Sequence, residues 1–239
     1  MTTVAEPERG NVMNNKNILL ITLFSLVACI LHAAMLQTPF NAYLYTSIAK
    51  VIIFILCPVL YCMVTKDGKF RDMLSLFSMH GDKRYIRFSL LLGLGTFTFI
   101  VVLFTILLPL IDPAAVADAL AANSITYRNA IFVFLYIVVI NAALEQFFFR
   151  GFVFLYLHRK GVKWYAHGYS ALLFALYHVP ILFHAVSPGI LILCTAGLVA
   201  AGLIFNALTL KCRGIGGSLI VHISANLALN LMIGVHFVF

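Results

Sequence analysis

The strongest constraint on this sequence is a series of long apolar segments separated by short polar stretches. Each segment approaches or exceeds the length of about 20 residues that a helix needs to cross a bilayer. Hydrophobic residues make up 63% of the 239 residues and charged residues 10%, and a soluble domain of this size cannot hide so much apolar surface. We therefore predict an all-α, polytopic transmembrane helix bundle with about seven spans. The predicted spans are residues 18–36, 43–64, 88–111, 130–157, 165–183, 190–210 and 218–239.

Basic residues are concentrated in alternate connections between these segments. They occur before the first span and after the second, fourth and sixth, whereas the other connections carry only Arg128. The positive-inside rule then places the N-terminus in the cytoplasm and the C-terminus outside. We interpret residues 1–17 as a cytoplasmic tail and 18–239 as a single transmembrane domain. The net charge of +8 is a signal of topology, and no nucleic-acid recognition motif accompanies it, so no nucleic-acid partner is expected.

Three local features outside the later spans also lead to predictions. Residues 112–128 are expected to form an exposed loop. Apolar residues recur at i, i+3, i+4 and i+7 from Phe70 to Phe77, which favours a short amphipathic helix on the membrane surface. Lys50 lies inside the second apolar segment. We expect it to extend its ammonium group to the membrane interface.

The later spans contain polar groups that a bilayer does not readily accept. Glu145 is the only one of the eight acidic residues that lies inside an apolar segment. An intramembrane carboxylate indicates a functional site, although a purely structural pair with Arg150 is the alternative. His178 and His222 lie in the fifth and seventh spans. Glu145 lies roughly 22 Å along its helix and His178 roughly 20 Å along the next, so the two can meet; His222 joins them if its helix starts deep or tilts.

These residues form three ordered motifs that resemble those of the CPBP family, the CAAX proteases and bacteriocin-processing enzymes also called Abi. The family pattern is Glu-Glu-x-x-x-Arg, then Phe-x-x-x-His, then His-x-x-x-Asn or a similar residue. The resemblance covers residues 130–239, which would form the catalytic core. The second Glu of the family pattern is a glutamine here. The matching positions are Glu145, Gln146, Arg150, Phe174, His178, His222 and Asn226.

The resemblance implies an intramembrane endopeptidase that hydrolyses a peptide bond near the membrane surface. In that reaction Glu145 and His178 would activate water, and His222 and Asn226 would stabilise the oxyanion. The implied partners are a peptide or membrane-anchored protein substrate and the lipid bilayer. The expected location is the bacterial cytoplasmic membrane, which the chain would cross several times.

The remaining motif positions would support the site. Phe174 is expected to be structural, as are Gln146 and Arg150. Because Gln146 cannot offset the charge of Arg150, that cation must find Glu145, a backbone carbonyl or the headgroup region. Either Gln146 keeps the structural role in neutral form or the site is weakened. We favour the first interpretation because Glu145 is retained.

The sequence leaves alternatives for cofactor and function. One Glu and two His could bind zinc with an open position, but no His-Glu-x-x-His spacing is present, so a mechanism without a cofactor is favoured over a zinc site. A catalytically weak family member, acting as a membrane binding or immunity-type protein, is the second functional hypothesis. A transporter with Glu145 and the histidines in a proton relay is the third, although no inverted repeat or broken-helix pair supports it.

Overall fold

The computed structural model describes residues 15–37, 43–66, 75–77, 83–183 and 186–239. Within these ranges all regular secondary structure is helical, which confirms the all-α prediction. Short 3₁₀ turns cover Ser75–Phe77 and Leu108–Leu110. The helices are α1 (Asn15–Met35), α2 (Tyr43–Thr65), α3 (Lys83–Leu107), α4 (Pro113–Ala122), α5 (Ala130–Arg159), α6 (Lys163–Leu182), α7 (Pro188–Lys211) and α8 (Gly216–Ile233).

Six helices of the described chain are long and apolar enough to span a membrane: α1, α2, α3, α5, α7 and α8. The protein is therefore an integral, multi-pass membrane protein. Helix α6 corresponds to the predicted fifth span and is not among the six. It has 20 residues, but polar side chains such as His167, Ser170 and His178 interrupt its apolar surface. It packs against α7, α5 and α1, so neighbouring helices bury Ser170 and partly cover the two histidines.

The connections between helices collect at two ends of the bundle, as the alternation of charge requires. At one end the backbone N–H of Tyr43 donates to the carbonyl of Asn123 over 3.1 Å. At the other end, where the basic connections lie, the N–H of Ile215 donates to the carbonyl of Leu76 over 2.9 Å. Which end faces the cytoplasm stays a prediction.

One predicted connection is wrong in part, because residues 113–122 of the expected loop 112–128 form α4. Asp112 caps this helix by accepting a hydrogen bond from the Ala114 N–H over 2.9 Å. Pro113 follows at the first helical position, where its missing N–H costs nothing. The predicted cytoplasmic tail lies largely outside the described residues, as does most of the predicted amphipathic segment.

Helix α5 lies at the centre of the bundle and contacts α1, α2, α6, α7 and α8. Two stretches of it are π-helical, Tyr136–Asn141 and Gln146–Phe154. All nine residues of the second stretch are buried. Three of its phenylalanines extend an aromatic core into α2, where Phe148 stacks on Phe54 with ring centroids 4.1 Å apart. The polar groups of α5 therefore lie among closely packed aromatic side chains.

Helix α8 starts deep in the bundle because small residues allow close packing there. Ile215, Gly216, Gly217 and Ser218 are all buried. A methyl group on Gly217 would lie 2.8 Å from the Ser89 hydroxyl and closer still to the Cys212 sulfur. The absence of a side chain therefore lets α8 approach α3. This meets the condition under which His222 reaches the depth of Glu145.

Candidate active site

The Glu145 carboxylate lies at the centre of a buried polar cluster, with one oxygen fully engaged. Its Oε1 accepts hydrogen bonds from Lys50 Nζ at 2.6 Å, Asn141 Nδ2 at 2.9 Å and the Tyr177 hydroxyl at 3.3 Å. Lys50 also donates to Asn141 Oδ1. Glu145 is 2% exposed, so these contacts replace the water that a carboxylate would otherwise bind.

The prediction for Lys50 is wrong. Its ammonium does not extend to the membrane interface but is buried against Glu145, 4.8 Å from the centre of the Tyr177 ring. A lysine inside an apolar segment has two ways to avoid hydrocarbon: to reach the interface or to find a buried anion. The carboxylate on α5 provides the second route, because α2 packs beside it.

The other carboxylate oxygen of Glu145 faces two histidines. In the described part of the chain, Oε2 has no hydrogen-bond partner. It lies 3.8 Å from His178 Nε2 and 3.6 Å from His222 Nε2. The structure thus brings the three sequence motifs together at one oxygen. Both distances exceed a hydrogen bond, so neither histidine is bonded directly to this oxygen.

The far nitrogen of each histidine is held by a different partner. His178 Nδ1 lies 2.7 Å from the backbone carbonyl of Phe174, one turn earlier on α6. His222 Nδ1 lies 2.9 Å from Nε2 of Gln146. The phenylalanine and glutamine of the motifs therefore contribute to the site through the rings of the two histidines.

Asn226 connects α8 to α5 away from the carboxylate. Its Nδ2 donates to the backbone carbonyl of Ile137 over 3.0 Å, and the backbone carbonyl of Asn226 accepts from Asn230 Nδ2 over 2.7 Å. Ile137 lies in the first π-helical stretch of α5. The structure shows no direct contact of Asn226 with Glu145 among the described contacts.

The Arg150 guanidinium has none of the three partners expected for it, which were Glu145, a backbone carbonyl and the headgroup region. Its side chain is fully buried, and within the described residues none of its three guanidinium nitrogens has a hydrogen-bond partner. The guanidinium instead packs on aromatic rings, with its carbon 4.1 Å from the centre of Phe174 and 4.8 Å from that of Phe205. The predicted pairing with Glu145 or a carbonyl is wrong, because Glu145 is occupied by Lys50 and Gln146 offers no charge.

The residues of this cluster do not fit a zinc site. No group of three His, Cys, Asp or Glu side chains in the described ranges has a metal-ligating arrangement. A zinc ion bound by Glu145 would share the carboxylate with the Lys50 ammonium, which lies 2.6 Å from Oε1. Lys50 already supplies the positive charge that a divalent cation would bring.

Three residues of the cluster were not predicted from the sequence: Lys50, Asn141 and Tyr177. Asn141 lies four residues before Glu145, a spacing that places both side chains on one face of a helix. Tyr177 directly precedes His178. Lys50 is a charge inside an apolar segment, and the sequence alone does not distinguish a lysine that reaches the interface from one that pairs with a buried anion. Which helix would lie beside it depends on tertiary packing.

Comparison with protein families gives a match over residues 127–228, to the family described as type II CAAX prenyl endopeptidase Rce1-like. The matched region contains all seven motif positions and runs from the start of α5 into α8. This confirms the family resemblance that the three motifs indicate. Comparisons with curated proteins and with solved structures gave no match.

Proposed function

We propose that this chain, whose residues 127–228 match the Rce1-like endopeptidases, is an intramembrane endopeptidase that hydrolyses a peptide bond near the membrane surface. Its substrates would be peptides or membrane-anchored proteins that reach the site from the bilayer or from one face of it. A prenylated CAAX tail, a bacteriocin or signalling-peptide leader and a membrane-anchored sorting tail are the substrate classes to test. The bacterial cytoplasmic membrane is the proposed location.

The unequal environment of the two Glu145 oxygens is the observation that carries this proposal. Oε1 is fixed by three donors, whereas Oε2 faces His178 and His222 without a hydrogen bond. A general base needs both properties: an anchored carboxylate and one oxygen free to take a proton. A structural ion pair alone would have no reason to leave Oε2 unbonded at bilayer depth, where each such oxygen is costly.

In the proposed reaction a water molecule lies among Oε2 of Glu145 and the two imidazole rings. Glu145 takes one proton of the water, and His178 accepts a hydrogen bond from the other, as the water oxygen attacks the carbonyl carbon of the peptide. Charge then develops on the carbonyl oxygen, and His222 donates to it. The bond between the carbonyl carbon and the amide nitrogen breaks, and the proton held at the carboxylate passes to the leaving amine, which restores Glu145 as an anion beside Lys50.

Asn226 would contribute a second donor to the oxyanion. An amide nitrogen carries two hydrogens, and the contact with Ile137 uses one of them. That contact also fixes the amide plane. A donor held in place before the reaction stabilises the developing charge without a cost of reorganisation.

One observation favours a second candidate function. Gln146 stands where the family pattern has a second glutamate, and the Arg150 guanidinium has no hydrogen-bond partner among the described residues. A protein that had lost catalytic activity and kept its fold could act as a membrane binding or immunity-type protein. The retained Glu145 and its two histidines favour the endopeptidase.

The test is cleavage by purified protein in lipid nanodiscs, with a panel of prenylated tails, leader peptides and sorting tails. Glu145→Gln keeps the shape of the side chain and removes the base, so turnover should fall by about 10²–10⁴-fold. Thermal unfolding of the variant establishes that it is folded. Asp118→Asn, an exposed acid on α4, is the matched control and should cleave at the wild-type rate.

Two results would contradict the proposal. Near-normal turnover by folded Glu145→Gln would exclude this residue as the base. Failure of wild-type protein to cleave any peptide of the panel, while it still binds one of them, would favour the second candidate.

A further inference from the structure

We infer that the two histidines of the site carry opposite neutral tautomers, and that Gln146 is the positioning residue that fixes the tautomer of His222. This inference deepens the proposed function and rests on it for its catalytic meaning. The inference is supported by the hydrogen bond that each imidazole ring makes through its Nδ1. It assigns to Gln146, the one departure from the family pattern, a role that the glutamate it replaces could not perform.

His178 has an unambiguous partner at one nitrogen. The backbone carbonyl of Phe174, 2.7 Å from Nδ1, can only accept a hydrogen bond. Nδ1 of His178 must therefore carry the proton. In the neutral ring Nε2, the nitrogen that faces Glu145 Oε2 at 3.8 Å, is then an acceptor with a free lone pair.

His222 has the opposite arrangement. Its Nδ1 lies 2.9 Å from the Gln146 amide nitrogen, which can only donate, so Nδ1 accepts and Nε2 carries the proton. The protonated Nε2 lies 3.6 Å from Glu145 Oε2, and an N–H this close to a carboxylate is an attractive arrangement in a low-dielectric site. The other tautomer would direct a lone pair at the same anion.

The neighbouring charges support this orientation of the Gln146 amide. Arg150 follows one turn later on α5, and none of its guanidinium nitrogens is paired in the described cluster. An amide oxygen carries partial negative charge, so a nearby cation favours the orientation in which the nitrogen faces His222 and the oxygen, which has no hydrogen-bond partner among the described residues, faces away from the ring. The fixed cations Lys50 and Arg150 already outnumber the single anion Glu145, which disfavours a further charge on either imidazole.

The resulting set of groups matches one water molecule. Glu145 Oε2 and His178 Nε2 are two acceptors, and His222 Nε2–H is one donor. A water molecule has two hydrogens to donate and lone pairs that accept. The opposite tautomers also give the two histidines different roles during hydrolysis. His178 can take a proton at Nε2, whereas His222 can only donate a hydrogen bond from Nε2. Gln146 thereby prevents His222 from acting as a second base.

Glutamate at position 146 would favour the opposite tautomer of His222. A carboxylate accepts hydrogen bonds, so it would place a proton on His222 Nδ1. The neutral ring would then present a lone pair to Glu145, or the ring would become a cation. Gln146→Glu therefore changes the protonation of His222 Nδ1 without altering the size of the side chain.

Nitrogen-15 NMR of histidine-labelled protein in nanodiscs tests the inference, because protonated and unprotonated imidazole nitrogens have well-separated shifts. The chain has eight histidines, and His178→Gln and His222→Gln assign the two of interest. We expect wild-type His222 to be protonated at Nε2 alone and His178 at Nδ1 alone. Gln146→Glu should move the His222 Nδ1 signal to the protonated range and leave His178 unchanged.

The buried amide Asn206, which donates to the His167 carbonyl over 3.2 Å, provides the control. Asn206→Leu also removes a buried amide but should leave the His222 nitrogens unchanged. A wild-type His222 protonated at Nδ1, or two histidines with the same tautomer, would overturn the inference, and both results are measured on wild-type protein once the two histidine variants have assigned its signals. Opposite tautomers in a protein that cleaves no peptide would support the inference while the endopeptidase proposal fails.

Discussion

Two charged residues five positions apart on α5 are accommodated in opposite ways. Glu145 has a counter-ion and three hydrogen bonds at one oxygen, from Lys50, Asn141 and Tyr177. Arg150 has aromatic faces at 4.1 and 4.8 Å and, within the described cluster, no hydrogen bond. We call Glu145 with its three donors the acidic side of the site, and Arg150 with its two aromatic rings the cationic side.

The difference shows two physical means of holding a charge inside a membrane. The acidic side uses Coulombic attraction and directional bonds, which fix one oxygen and leave the other without a hydrogen bond in the described cluster. The cationic side uses the negative faces of aromatic rings, which contribute about 2 kcal/mol or more when desolvated but give no directional bond. Chemistry is therefore expected on the acidic side, and structural weakness on the cationic side.

Lys50→Met should have the largest effect on folding, because it removes the counter-ion from the acidic side. Breaking a buried ion pair by removing one partner typically costs about 3–5 kcal/mol. Denaturant unfolding in mild detergent measures the loss, with the exposed Lys163→Met as control. Lys50→Met combined with Glu145→Gln should recover most of the stability. A Lys50→Met protein as stable as wild type would contradict a stabilising role for the ion pair between Lys50 and Glu145.

Asn226→Ala should have the next largest effect, and it concerns turnover. Loss of one oxyanion donor lowers kcat by about 10²–10³, or roughly 3–4 kcal/mol, while KM changes little. The matched control is Asn230→Ala, which removes the neighbouring amide that donates to the Asn226 carbonyl and should retain most of the activity. Loss of folded protein with no kinetic defect would instead assign Asn226 a structural role.

Gln146→Glu should stabilise the cationic side. A carboxylate one turn before Arg150 gives the guanidinium a charged hydrogen-bond partner, worth about 1.5–3 kcal/mol. Thermal unfolding should therefore occur at higher temperature than in wild type. Gln146→Met, of similar length but without charge, is the control and should give no gain. A lower unfolding temperature for Gln146→Glu would show that the rings alone hold Arg150 better than an ion pair does.

The smallest effect is expected from chelators, which should not change the rate of peptide cleavage. Lys50 supplies the positive charge at Glu145, so treatment with a strong zinc chelator should leave the cleavage rate unchanged. Metal analysis of the purified protein is the companion measurement. Stoichiometric zinc that is lost in His222→Ala would contradict the mechanism without a metal and leave the endopeptidase assignment in place.

The sequence predicted the helical class and the meeting of Glu145 with His178 because both depend on local rules. Apolar length predicts a span, and a known rise per residue predicts the depth of a side chain. The partner of Lys50 could not be predicted, because it depends on which helices are neighbours. The same holds for Arg150, whose rings come from α6 and α7. Helix α4 was missed although Asp112 and Pro113 form a recognisable start signal.

The π-helical stretch Gln146–Phe154 was not predicted either, and it makes the site sensitive to changes of chain length. Wide turns of this kind are rare and occur often at functional sites. Removal of one residue before Arg150 would let the wide turn close to an ordinary α turn, because a π turn holds about one residue more than an α turn. Insertion of one residue there would instead add a rotation of about 100° and turn Arg150 away from the rings of Phe174 and Phe205. The number of residues between Glu145 and Arg150 thus determines the site as well as their identity does.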